Sequence, residues 1–381
     1  MIKNFLKYFI ILFVLVTGVL LATGKLYYYK ALVYNYVNID DLSLFATREV
    51  AAPEPQRWNI SKSYNDRPLT PRLEKLLTDF KTVSFVVVKE DSIVFEKYWD
   101  GYGESSLSNS FSMAKTIVGM LVGKAIEEGK IKSIDQPVGD FIPEFKEGEK
   151  SKITVRHLLM MSSGLDWNEG YASLTSQVTE AYYGTELYKQ VTSLKVAEGP
   201  GKYWDYKSCD TELLSIIIGK ATGKTLSAYA SEKIWKPVQA EHAAQWSLDK
   251  MGGLEKAYCC FYSNARDFAR LGKLYLNNGM WNGVQVIDSA YVQQSITPSA
   301  LIDKQDNLPN QVYGYQWWIT NWHSSKIFYM RGILGQYVIV IPDKKIIIVR
   351  LGHQRSSLPN GRPDDYPVYV DEIMKMYTLP Q

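Results

Sequence analysis

Apolar and polar positions divide the chain into four stretches. Residues 8–22 carry no charge and follow Lys3 and Lys7. Basic residues leading into about 15 mostly apolar ones are the pattern of an export signal. Positions 5–24 also approach the roughly 20 residues with which a helix crosses a bilayer. Leu20-Leu21-Ala22-Thr23-Gly24 is a poor cleavage site and holds no cysteine for a lipid anchor. The reading is an uncleaved signal or membrane anchor over 1–25, with the body outside the cytoplasm, on the periplasmic side. Lys25 and Lys30 follow it, so basic residues flank the segment on both sides.

Residues 26–75 are mixed and punctuated by Pro53, Pro55, Pro68 and Pro71. They read as a linker and N-terminal extension with one short helix at 72–80. Next, two β-rich runs at 84–88 and 93–99 flank the polar turn 89–92, which predicts a hairpin. The wholly apolar first arm predicts a strand buried on both faces.

Beyond it, Ile117, Val118, Leu121, Val122, Ala125 and Ile126 recur at helical spacing, and Gly129 stops the helix. Helices are also expected at 155–161 behind Thr154, at 211–222 before Gly223, at 227–234 before Pro237 and at 264–276 before Asn278-Gly279. Four strands follow at 313–319, 327–331, 337–341 and 345–351, the last two joined by Pro342-Asp343-Lys344. A helix at 368–376, started by Pro367, ends the pattern. Short connections between strands imply antiparallel pairing. The expected fold is α+β, with one antiparallel sheet made from both ends of a main domain at 76–381. Helices flank this sheet, and a helical insertion occupies about 130–300.

The chain has 381 residues and a formal charge of +3, too small a field to argue for nucleic acid. The four histidines, at 157, 242, 323 and 353, are scattered, and no H-E-x-x-H or C-x-x-C occurs. No protein-built metal site and no cofactor are expected. His157 sits among apolar residues and reads as a core histidine. Three cysteines make no disulfide framework. Cys209 has no histidine nearby to activate it and reads as packing. A bridge from it to Cys259 or Cys260 stays open for a protein outside the cytoplasm.

Candidate chemistry begins at Ser112-Met113-Ala114-Lys115. Positions three apart share a helical face, so the Ser112 hydroxyl and Lys115 amine can meet at the helix start. A serine needs a neighbouring base, and a lysine is one only when its pKa is depressed. Alone, the pair is a common four-residue match on an ordinary helix. No Gly-x-Ser-x-Gly elbow offers another serine.

Further pieces recur in order: 153–165 (Ile-Thr-Val-Arg-His-Leu-Leu-Met-Met-Ser-Ser-Gly-Leu), Pro200-Gly201 then Tyr206-Lys207-Ser208, 265–272 (Ala-Arg-Asp-Phe-Ala-Arg-Leu-Gly), 313–318 (Tyr-Gly-Tyr-Gln-Trp-Trp) and Met330-Arg331-Gly332. Over roughly residues 80–375 the chain resembles the serine β-lactamase, penicillin-binding protein and esterase superfamily, in its class C-like branch. The resemblance implies that Ser112 attacks a carbonyl and that Lys115 and Tyr206 share the proton work. Lys115 and Lys207 are the cations that would favour a Tyr206 phenolate. The N–H groups of Ser112 and Ile333 would form the oxyanion hole, with Gly332 admitting substrate to the strand edge. Ser208 stands where relatives usually carry Asn, and could bond substrate or Lys115.

Met330-Arg331-Gly332 replaces the Lys-Thr-Gly or His-x-Gly of many relatives. Arg331 either supplies positive charge for a substrate carboxylate or oxyanion, or faces away in a structural pair. Lack of Lys-Thr-Gly argues against efficient penicillin hydrolysis. The expected activity is an acyl-enzyme serine hydrolase acting on a small-molecule or peptide-like ester or amide, similar to the esterases and small-amide hydrolases that include enzymes acting on aminohexanoate oligomers. The alternatives are a D-alanyl carboxypeptidase or β-lactamase activity, and a catalytically silent binding domain held at the membrane. Of Trp317 and Trp318, alternation lets at most one wall the groove. Oligomeric state leaves no mark in the sequence.

Overall fold

The computed structural model describes residues 2–171, 173–358 and 363–378. Met1, at the head of the expected anchor, and residues 379–381, at the tail of the expected main domain, lie outside the described residues. Helix α1 (Ile2–Ala22) is long and apolar enough to cross a membrane and has no buried residue. Helix α2 (Tyr27–Tyr34) follows it directly and buries Tyr27 and Ala31.

The central sheet has seven strands: β1 (Asn59–Ile60), β2 (Thr82–Lys89), β3 (Ser92–Tyr98), β4 (Trp318–Trp322), β5 (Ser325–Gly332), β6 (Gln336–Ile341) and β7 (Ile346–Gly352). Their spatial order is β4-β5-β6-β7-β2-β3-β1. All pairs are antiparallel except β1 with β3. The two ends of the chain meet where β7 pairs with β2, placing Ile347 opposite Val88 and Val349 opposite Val86. Alternation then sorts the strand residues between two cores. Val86, Val88, Val338, Val340, Ile347 and Val349 face the main core. Phe85, Val87, Ile339, Ile346 and Ile348 face a second core with Leu73, Leu77 and the C-terminal helix. The all-apolar run at β2 is therefore buried on both faces, as its pattern predicts.

The helices that matter for the site are α3 (Met113–Glu127), α4 (Gln177–Tyr183), α5 (Ser208–Thr222), α6 (Ala265–Leu276) and α7 (Tyr366–Thr378). Helix α6 packs closely enough on β6 and β7 that a Cβ on Gly272 would lie 3.0 Å from Val338 and Ile347. Helix α5 starts at Ser208, three residues before the expected start, which places Ser208 in its first turn.

Two expectations change. The strand expected at 313–319 begins only at Trp318. Gln316 adopts φ +60°, and its buried amide donates to the carbonyls of Leu158 and Leu159 while accepting from Thr211 Oγ1. Those bonds hold 313–317 as a turn. The stretch read as linker, 26–75, also enters both sheets: β1 pairs with β3, and Thr47–Val50 pairs with Ala244–Ser247 in a second, four-stranded sheet. Prolines interrupt it without freeing it, because short runs between them find strand partners.

A buried charge cluster ties α6 to the central sheet. The Arg266 guanidinium makes a two-pronged contact with Glu96 on β3, at 2.9 and 2.5 Å, and reaches Glu104 at 2.8 Å. The hydroxyls of Tyr64 and Tyr98 each donate to Glu96 at 2.8 Å. Removing one partner of a buried pair leaves a charge without its counter-ion. Arg266→Met is therefore expected to lower the unfolding free energy by about 3 kcal/mol in urea titration, and Glu96→Gln added to it should recover part of the loss. Equal stability of Arg266→Met and the unsubstituted protein would refute this assignment.

Candidate active site

Ser112 precedes the first residue of α3 at the end of a strained turn. Phe111 holds φ +44°, an unusual backbone conformation for a non-glycine residue. The turn is held by Phe111 N–H donating to Asn109 Oδ1 at 2.9 Å and by Ser110 Oγ donating to the Phe111 carbonyl. The apolar stripe on α3 sinks the helix into the main core and carries Lys115 with it, leaving that side chain 1% exposed.

Lys115 Nζ donates to Ser112 Oγ at 3.0 Å and to the Tyr258 carbonyl at 2.8 Å. No carboxylate lies within ion-pair distance of it among the described residues. Burial depresses its pKa to about 8, against a smaller opposing effect of the Glu169 charge. The Tyr258 carbonyl is itself fixed. Ala257 N–H donates to buried Glu212 on α5, and Trp246 Nε1 donates to the carbonyls of Lys256 and Cys259.

Tyr206 is half-buried on the other side of Ser112. Its ring centroid lies 5.1 Å from Lys115 Nζ, and the ring packs on Trp318 and Tyr313. Burial and then the Glu169 charge push its pKa well up, against a hydrogen bond with Ser112. Burial therefore favours the protonated phenol and works against the expected phenolate. Lys207 is turned away: its Nζ donates to the Leu165 carbonyl at 2.5 Å and pairs with Asp205 at 3.1 Å.

The third wall is the end of β5. Met330 points into the main core, while Arg331, Gly332 and Ile333 line the same cavity as Ser112 and Tyr206. A Cβ on Gly332 would stand 2.2 Å from the Ser110 carbonyl, so only glycine allows the strand and the turn before Ser112 to touch. Buried Arg350 braces the following turn by donating to the carbonyls of Leu334 and Gly335 at 2.9 and 2.8 Å. Arg331 does not face away from the cavity, and its guanidinium lies 4.7 Å from the centroid of Trp318. Trp318 walls the cavity, and Trp317 is buried in the core.

Ser208 departs from expectation. Its backbone N–H and hydroxyl donate to the two oxygens of Glu169, at 2.8 and 2.5 Å. It is buried there and does not line the cavity. The reach that an Asn would have toward substrate is lost with the shorter side chain, and Glu169 captures the hydroxyl. Glu169 also accepts from Trp167 Nε1 and Tyr171 OH, both at 2.5 Å. Sequence reasoning missed Glu169 because residues 166–196 read as helical and loop-like with many polar residues, among which no motif singles it out. It missed the Tyr258 carbonyl because a backbone acceptor has no residue type. Arg355, in the polar stretch after β7, also lines the cavity. Burial and the nearby Arg331 charge lower its pKa.

The cavity measures about 780 Å³. Arg331, Arg355 and Lys304 contribute positive charge to its lining, and Asp205, Asp303 and Asp306 contribute negative charge. The cysteines lie apart from it: Cys209 is free and buried, and Cys259 and Cys260 are bonded to each other, so no bridge joins Cys209 to either. His157 is also structural, accepting through Nδ1 from the Thr154 backbone N–H at the head of its short helix.

Known proteins agree with this architecture. A 6-aminohexanoate-dimer hydrolase of Paenarthrobacter ureafaciens is 27% identical over 299 residues, which cover 74% of this chain and 75% of that protein. A solved structure from Bacillus anthracis, provisionally described as a 6-aminohexanoate-dimer hydrolase, matches with a TM-score of 0.76 and 26% identity over 90% of this chain and 94% of that one. A penicillin binding protein from Bacillus halodurans, at 16% identity and a TM-score of 0.59 over 80% and 98% of the two chains, shares the fold. With a β-lactamase/transpeptidase-like α+β fold and a family description that matches residues 71–369, the chain belongs to the beta-lactamase family.

Proposed function

We propose that the protein is a serine hydrolase that opens an ester or amide through an acyl-enzyme on Ser112. The observation that carries this reading is the buried Lys115 amine, 3.0 Å from Ser112 Oγ and without a carboxylate partner among the described residues. Neutral Lys115 takes the Ser112 proton as Oγ attacks the carbonyl carbon. The N–H groups of Ser112 and Ile333 receive the oxyanion. Tyr206, kept as a phenol, gives its proton to the leaving group and regains one from protonated Lys115. Water then attacks the acyl ester with the same groups working in reverse. The N-terminal helix anchors the body outside the cytoplasm.

Arg331 and Arg355 together suit a substrate with a carboxylate near the scissile bond, held by charge-assisted hydrogen bonds. Met330 leaves the preceding strand position without the cation that many relatives carry there, which argues against efficient penicillin hydrolysis. Homology to a 6-aminohexanoate-dimer hydrolase supports the amide side of this reading.

A fluorescent fluorophosphonate should label the full-length protein and leave Ser112→Ala unlabelled; equal labelling of both would sink the acyl-enzyme. Because Lys115 must be neutral to act, kcat/KM for a p-nitrophenyl ester should rise with pH through about 8 and level off above it. Glu169→Gln removes the negative charge that raises the Lys115 pKa, so this rising limb should move to lower pH. An unmoved or upward-shifted limb would contradict the electrostatic link. Arg355→Met should raise KM for a carboxylate-bearing ester by roughly tenfold or more, the worth of one charged hydrogen bond, and leave a neutral acetate ester unaffected. Equal losses on both esters would remove the carboxylate assignment.

A further inference from the structure

We propose that α2 is an interfacial helix whose exposed face lies in the headgroup layer of the bilayer crossed by α1. The proposal rests on the anchor reading above and adds a second contact between the protein and a lipid surface. The first argument is reach. Only residues 23–26 separate α1 from α2, and four residues span at most about 14 Å even when extended.

This connection is folded. Thr23 N–H and Lys25 N–H donate back to the carbonyls of Val19 and Leu20. Tyr29 of α2 reaches further back, with its hydroxyl 2.6 Å from Thr17 Oγ1 and its ring 5.8 Å from that of Phe13. Residues 17 and 13 lie about 8 and 14 Å along the axis from the end of α1, so when α1 spans the bilayer Tyr29 reaches from the interface into the adjoining acyl chains.

The second argument is composition. The inner face of α2, with Tyr27 and Ala31, is buried as the helix packs against α4. Outward, Leu32, Val33, Tyr34 and Tyr36 are exposed, Val33 at 75% and Tyr36 at 83%. Lys30 is also exposed on α2, and Lys25 precedes the helix. Apolar and aromatic residues mixed with lysines match a layer of acyl-chain ends and phosphates. Water would leave this apolar area unsatisfied, whereas lipid covers it.

Depth-dependent quenching tests the proposal on the full-length chain in phosphatidylcholine–phosphatidylglycerol vesicles. Single cysteines replace Val33, Tyr36, Leu12 in α1 and water-exposed Met251, each labelled with an environment-sensitive fluorophore. Native Cys209 is buried and the other two cysteines are paired, so the unsubstituted chain serves as the blank. Probes from Val33→Cys and Tyr36→Cys should be quenched at least about threefold more by spin-labelled lipid than the Met251→Cys probe, and should resist iodide. If Leu12→Cys is quenched by lipid while positions 33 and 36 respond to iodide like position 251, the interfacial helix is refuted and the anchor stands. If Leu12→Cys also responds to iodide, both fall.

Discussion

A primary amine held out of water is the constraint around which the site is arranged. Lys115 is carried inward by the apolar stripe of its own helix, and among the described residues its Nζ meets only a serine hydroxyl and a backbone carbonyl at hydrogen-bond distance. Neither partner compensates a positive charge, so burial favours the neutral amine. A carboxylate at ion-pair distance would reverse that balance and remove the base. The molecule instead keeps Glu169 at a remove, where it tempers the shift, and satisfies its oxygens with Ser208, Trp167 and Tyr171. Buried Glu212 acts through the backbone, fixing the segment whose Tyr258 carbonyl receives the amine.

The second requirement is closeness between the turn before Ser112 and the sheet edge. Phe111 takes a strained conformation on one side, and Gly332 removes its side chain on the other. Arg350 holds the next turn from behind through two carbonyls. These features lie on separate elements and are brought together because β7 pairs with β2, joining the two ends of the chain in one sheet. Chemistry and topology are therefore linked: the same pairing that completes the core sets β5 beside Ser112.

The cavity lining carries charges of both signs, with Arg331 on the end of β5 and Arg355 in the stretch after β7. Family membership explains the framework that positions the proposed nucleophile and base. It does not decide the substrate; Arg331 and Arg355 line the cavity together with Asp303 and Asp306. Met330 is the clearest departure at the site. Its side chain belongs to the main core, and the positive charge enters the cavity from the next residue along the strand.

Periodicity alone determined the hairpin at β2 and β3, the burial of β2 on both faces, the helix of Ser112 and the pairing of the last strands. Each depends on local alternation or on short connections. The Ser-x-x-Lys pair was visible because helical spacing puts both groups on one face. Tertiary structure decided the rest. Ser208 went to Glu169 because its side chain is short and a distant loop supplies the acceptor. Burial of Tyr206 works against its phenolate, and Lys207 points elsewhere. Gln316 broke an expected strand through bonds to residues far away in sequence. The linker-like segment became strand because partners almost 200 residues on were available. In each case the deciding group was a contact at long sequence separation, which no local pattern encodes.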